Sequence, residues 1–210
     1  MATYGPSILR GFLVTVEVAI LIVFLGLFVG LALAIVRCLH VRFLDVLIVA
    51  YIDVFRTLPQ LVVIIFVYFA LPYAGLALSP FAATVASLGA VLSAFSAEIF
   101  WAAILATPSG QWDSARALGL RPYPIMRHVI LPQAIRMAVP MLANRVIAVT
   151  KGTALGSAIA LPEALASAES AAQISANPSP LTLAAVLYVL FFLPLVVTTR
   201  HLEARYRWSR

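Results

Sequence analysis

Apolar residues in this chain come in runs too long for a soluble core, the first of which, Gly11 to Val36, carries a single charge, Glu17, in 26 residues. Crossing about 30 Å of hydrocarbon takes about 20 apolar residues in a helix, so this run predicts a membrane span. It is longer than the roughly 7 to 15 residue apolar core of a cleaved secretory signal and is expected to be retained. Further runs at Leu44 to Leu71, Phe81 to Leu105, Val139 to Leu161 and Leu181 to Thr199 predict four more spans. One polar stretch, residues 109–132, interrupts the pattern and predicts a hinged pair of short helices outside the membrane. Ser109 is placed to cap the first turn. Ala115 and Gly119 fall at i, i+4 on one face, a shallow notch where another backbone can approach. Gly119 ends that helix and Pro122 starts the next.

Composition supports an all-α, polytopic membrane protein with a single membrane domain over residues 1–210. Hydrophobic residues make up 63% of the chain, charged residues 10%, and the mean hydropathy is +1.06, far from soluble globular averages. Five spans and their loops leave no room for a soluble catalytic domain, and no catalytic residue or metal ligand set is expected. Lys and Arg order the loops. Arg37, Arg42, Arg116, Arg121, Arg127, Arg136, Arg200, Arg205, Arg207 and Arg210 lie on one side, and Arg10 alone lies on the other. The basic side is the cytoplasmic one, which puts the amino terminus outside, the carboxyl terminus inside and the polar stretch in the cytoplasm. The net charge of +6 is spread beside membrane ends without a clustered stripe, so nucleic acid is not an expected partner, whereas membrane lipid is. Cys38 is the sole cysteine, which excludes an intrachain disulfide or a cysteine-built metal site.

Charges within membrane depth are costly, about 2.5 to 3.5 kcal/mol each at a helix centre. Lys151, midway along the fourth apolar run, therefore requires an anionic partner, a water-filled cavity or a charged ligand. Its neighbours Gly152, Thr153, Gly156 and Ser157 loosen a helix and free backbone groups for contacts. An internal pair with Glu98 or Glu163 is the alternative. In the second run Pro59 predicts a kink, and Asp53 and Arg56, at i, i+3, are expected to pair with each other, with substrate contact as the alternative. Arg145, about 9 Å nearer the cytoplasm than Lys151, is expected to hold a packing or gate ion pair.

The spacing Asp113-Ser114-Ala115, three residues, Gly119, nine residues, Val129, one residue, Leu131-Pro132 resembles the EAA loop of ABC importer permeases. Asp113, Ser114 and Val129 are conservative departures from Glu, Ala and Ile. With Arg56 and Pro59, Ala97-Glu98-Ile99, Gly110-Gln111, Leu131-Pro132-Gln133-Ala134, Asn144, and Lys151 with Thr153 and Leu155, the chain is similar to the polar-amino-acid (histidine, glutamine, arginine, opine) branch over roughly Leu13 to Tyr188. That resemblance implies a type I importer permease fold in a bacterial inner membrane and a second permease, identical or not. It also implies a dimer of ABC ATPase subunits docked on the loop through Asp113, Ser114, Ala115, Gly119, Leu131 and Pro132. A periplasmic or extracellular binding protein then delivers the amino acid to a pocket containing Lys151, Gly152, Thr153 and Glu98. ATP belongs to the partner, because the chain has no phosphate loop of the GxxxxGK[ST] kind, and no cofactor of its own is expected. Two positions depart from the family's habit: Gly152 replaces an Asp and Trp101 an Arg. Losing a mid-membrane carboxylate argues against a cationic cargo and for an acidic or uncharged polar one. A secondary amino-acid transporter would share Lys151 and Glu98 but has no use for the polar loop.

Overall fold

A computed structural model describes residues 4–39 and 41–206, the last five by their backbone; Arg207 and Arg210, counted above for orientation, lie outside them. Helix α1 runs from Gly5 to Arg37, apolar all round, and packs along α4, Pro80–Leu105. Small residues let the two approach: a Cβ on Gly30 would stand 2.5 Å from Ser96 Cβ and 2.9 Å from the Ala97 nitrogen. α4 is the central post, with Leu88, Val91, Leu92, Ala94 and Ala97 all buried.

The second apolar run is broken, not merely kinked. Helices α2, Arg42–Thr57, and α3, Gln60–Phe69, meet at 108°. Leu58 and Pro59 at the corner are extended, as a residue before proline and a proline without an N–H dictate. A 3-10 turn, Leu71–Ala74, follows.

After α4 the polar stretch folds as α5, Ser109–Ala117, and a single turn, α6, Pro122–Pro124, which leads into a π-helical segment, Ile125–Ile130. Helix α7, Leu131–Thr150, then re-enters the core. The fourth run is not one α-helix: from Lys151 to Ile159 the backbone leaves the α form, but it tightens into a 3-10 segment instead of loosening. An unexpected helix, α8, Ala164–Ser175, is bracketed by Ala160 and Ala176 in the left-handed region. Helix α9, Ser179–Tyr206, closes the chain.

Among the described residues three helices are long and apolar enough to cross a membrane, Gly5–Arg37, Pro80–Leu105 and Ser179–His201, and α2 with α3 makes a fourth if the bent pair counts as one. The expected span from Val139 to Leu161 is the one that falls short, because its α-helix stops at Thr150 and carries Arg136, Asn144 and Arg145.

Candidate functional site

The polar loop is anchored from below. Ala115 is buried in one apolar cluster with Phe100 and Ile104 of α4, Ile125 and Ile130 of the π segment, and Ala134 and Ala138 of α7, and α5 packs against the π segment. This corrects the two-residue notch: Ala115 is covered by its own chain, and only the Gly119 end is open. Gly119 has φ +75° and nothing within 4 Å of a would-be Cβ, so a left-handed backbone, not a close approach within this chain, selects glycine there. Its N–H donates to Arg116 O (2.9 Å) and that of Leu120 to Ala115 O (3.2 Å), a paired C-terminal cap. The Ser109 cap is not formed. Pro108 holds that position without a side-chain bond, and Ser109 is the first helical residue.

Gln133 Nε2 ties the loop's two ends, donating to Gln111 Oε1 (3.2 Å) and Val129 O (2.7 Å). Asp113 and Arg116 form an exposed ion pair at 3.6 Å. Arg127 Nη1 donates to Tyr123 Oη (2.9 Å), and that bond raises the arginine's already high pKa. Ser114 and Pro132 are exposed, Leu131 half-buried, and Leu118, 80% exposed, stands at the tip.

Where α1, α2 and α4 meet, Arg37 donates to Asp45 (2.8 Å) and lies over the Trp101 ring at 4.4 Å. The Trp101 position thus receives a cation from α1. Cys38 beside it is half-buried; burial pushes the thiol pKa up, and the Arg37 charge opposes that.

Within membrane depth the structure redistributes the expected pairs. Arg56 meets Glu98 of α4 at 3.2 Å, not Asp53, which makes no ion pair among the described residues. α4 presents Glu98 to the incoming α2, and that cross-helix pair replaces the local one. Lys151 pairs with neither Glu98 nor Glu163: its ammonium sits 5.9 Å from the Phe192 ring, in a hollow of about 440 Å³ with Tyr188 and Val196 of α9. Arg145 holds no ion pair among the described residues and lies over Phe95 at 4.0 Å. Gly152 and Thr153 are buried behind Lys151. A Cβ on Gly152 would collide with Gln60 Oε1, so a neutral amide occupies the space a larger residue would need. The Thr153 hydroxyl is buried with no hydrogen-bond partner among the described residues.

Met141, Asn144, Arg145, Ala148 and Lys151 form one open stripe along α7 and the start of the 3-10 segment, at the i, i+3, i+4, i+7, i+10 spacing of a single helix face. Two cations on an open face inside the membrane cannot be bathed in lipid without cost, so that face belongs to a polar cavity or a neighbouring subunit.

Glu163 is the residue whose part the sequence reading missed. Its fully buried carboxylate caps α8 by accepting from Ala166 N (2.7 Å), and accepts from Tyr188 Oη of α9 (2.5 Å) and Thr15 Oγ1 of α1 (3.4 Å). Thr15 Oγ1 in turn accepts from Ala164 N (3.2 Å). The signal was present: an acidic residue after Pro162 heads a run of alanines that stops at Asn177-Pro178, an N-cap and a stop.

Residues 15–208 match the family described as the binding-protein-dependent transport system inner membrane component, and the chain belongs to that family. Among curated relatives, the probable glutamine ABC transporter permease protein GlnP of Bacillus subtilis is 35% identical over 199 residues, 93% of this chain and 91% of the relative. The L-cystine transport system permease protein TcyB of the same organism is 31% identical over 161 residues, 77% and 69% of the two chains. A crystal structure of an amino acid ABC transporter with histidines is matched at TM-score 0.86 and 30% identity, covering 98% of this chain and 96% of that one. The MetNI methionine ABC transporter, at TM-score 0.78 and 20% identity over both full chains, shares the fold. The protein is a multi-pass membrane permease component of an ABC importer.

Proposed function

We propose that the chain carries a polar amino acid inward across a bacterial inner membrane, with its amino terminus outside and its carboxyl terminus in the cytoplasm. A dimer of ABC ATPase subunits, a second permease copy or homologue, and an extracytoplasmic binding protein complete the machine. The chain hydrolyses nothing itself; ATP binds the partner. The observation that carries this reading is the polar loop whose Ala115 is buried in one apolar cluster with the π segment, α4 and α7, so that a push on the loop passes through the π segment into α7, which bears Arg145 and leads to Lys151. ATP-driven closure of the ATPases moves the loops, and the two permease halves rock between outward and inward openings.

Asp113, Ser114, Gly119, Leu131 and Pro132 form the docking face, with Ala115 as its anchor. Lys151, Gly152, Thr153 and Glu98 contribute to the cargo pocket, Lys151 by charge and Gly152 by leaving room for the Gln60 amide. That neutral wall, and relatives named for glutamine and cystine, favour an uncharged polar cargo.

Two variants at one position test the docking. Gly119→Ala adds only the strain of a left-handed alanine, about 1 to 2 kcal/mol, whereas Gly119→Leu adds the same strain and fills the open space. Obstructing a close contact costs about 1 to 3 kcal/mol, so Gly119→Leu should lose ATPase copurification and transport that Gly119→Ala retains. Equal behaviour of the two variants refutes the dock.

A further inference from the structure

We propose that Arg145 is an anion-holding station of the translocation path, deeper than Lys151, and that the anion it takes is the cargo's α-carboxylate. The inference rests on the amino-acid reading above.

Two guanidinium groups, Arg56 and Arg145, flank the Phe95 ring at 5.6 and 4.0 Å, yet Glu98 is the carboxylate present and Arg56 takes it. Among the described residues no carboxylate lies within ion-pair distance of Arg145. A ring contact braces a guanidinium but uses none of its five N–H donors, so among the described residues the group is oriented and its donors are unspent. It opens onto a hollow of about 460 Å³ bounded by Ile99, Met141, Asn144 and Ala148, large enough for a small amino acid. A permanently charged group in that setting is stable only beside water or an anion.

The two cations stand at different depths. Arg145 and Lys151 lie about 9 Å apart along the axis and about 120° apart around it, Arg145 facing Phe95 and Ile99 of α4 and Lys151 facing Phe192 of α9, so Arg145 is a separate cation one step nearer the cytoplasm. Arginine favours a planar carboxylate held by two parallel bonds. Lysine, as a point charge, releases it more readily.

The test uses the intact permease–ATPase complex, purified without binding protein. Polar amino acids are titrated beside their α-carboxamide counterparts, which lack the carboxylate, and thermal stabilisation is read. The wild type should prefer the carboxylate form by roughly tenfold or more. Arg145→Met should abolish most of that preference, and Arg145→Lys should keep part of it. A wild-type preference surviving in Arg145→Met but lost in Lys151→Met overturns the assignment in favour of Lys151. Separation of the permease pair in Arg145→Met also overturns it, by making a carboxylate of the neighbouring permease the true partner. A wild-type complex stabilised by no amino acid in either form refutes the amino-acid cargo itself, and the Arg145 station with it.

Discussion

At the scale of residues, Glu163 shows how one carboxylate can organise three helices. It is fully buried and accepts hydrogen bonds from three donors, an arrangement that penalises loss of any one of them. Tyr188→Phe removes one hydroxyl and leaves the carboxylate to Thr15 and the Ala166 amide. The expected cost is about 1 to 3 kcal/mol, seen as a lowered melting temperature of the purified complex; an unchanged melting temperature would mean the hydroxyl contributes nothing. The sequence disclosed that Glu98, Arg56, Arg145 and Lys151 fall inside apolar runs, with Glu163 just beyond one. It did not disclose who meets whom. Asp53 and Arg56 are close in sequence, but Glu98, 42 positions beyond Arg56, wins because α4 runs beside α2. Tertiary placement, invisible to spacing, decided each partner.

Among elements, the long apolar runs were legible because hydropathy over some twenty residues leaves no alternative to a helix in lipid. The breaks were legible in kind: Pro59 marked the corner between α2 and α3, and the glycines after Lys151 marked the end of α7. Their extent was not, since a 108° bend reflects where α3 packs against α4 as much as the proline. Helix α8 escaped notice because its alanines give no amphipathic stripe. The α1–α4 seam yields the clearest element-level prediction. At Gly30 the nearest atoms include the Ala97 nitrogen and the Ser93 oxygen, both 2.9 Å from where a Cβ would stand, and backbone of that kind cannot step aside. Gly30→Leu should separate the helices and destabilise the protein by about 1 to 3 kcal/mol or more, read as reduced membrane yield and an earlier thermal transition. At Gly26 the obstruction is Leu92 Cβ and Cγ, both 2.6 Å from where a Cβ would stand, so even Gly26→Ala should force α1 and α4 apart.

For the whole molecule, orientation is the property on which the functional reading depends. With Cys38 replaced by Ser, a cysteine at Tyr73, 95% exposed, should label with an impermeant thiol reagent added to intact cells. One at Leu118, 80% exposed, should label only after the membrane is opened. The reverse pattern would put the loop outside and sever it from any ATPase. Between that loop and the cation-bearing stripe lies the π segment, Ile125–Ile130. A π turn is an α-helix holding one residue of slack. Were that slack drawn out so that the segment rewound as α-helix, everything from Leu131 onward would turn by about 100° about its own axis, one residue's share of an α-helical turn. If the loop docks the ATPases and Lys151 lines the path, as proposed, the connection between them would be a screw thread as well as a lever, and a tug on the loop would be felt at Lys151 both as a shift and as a twist.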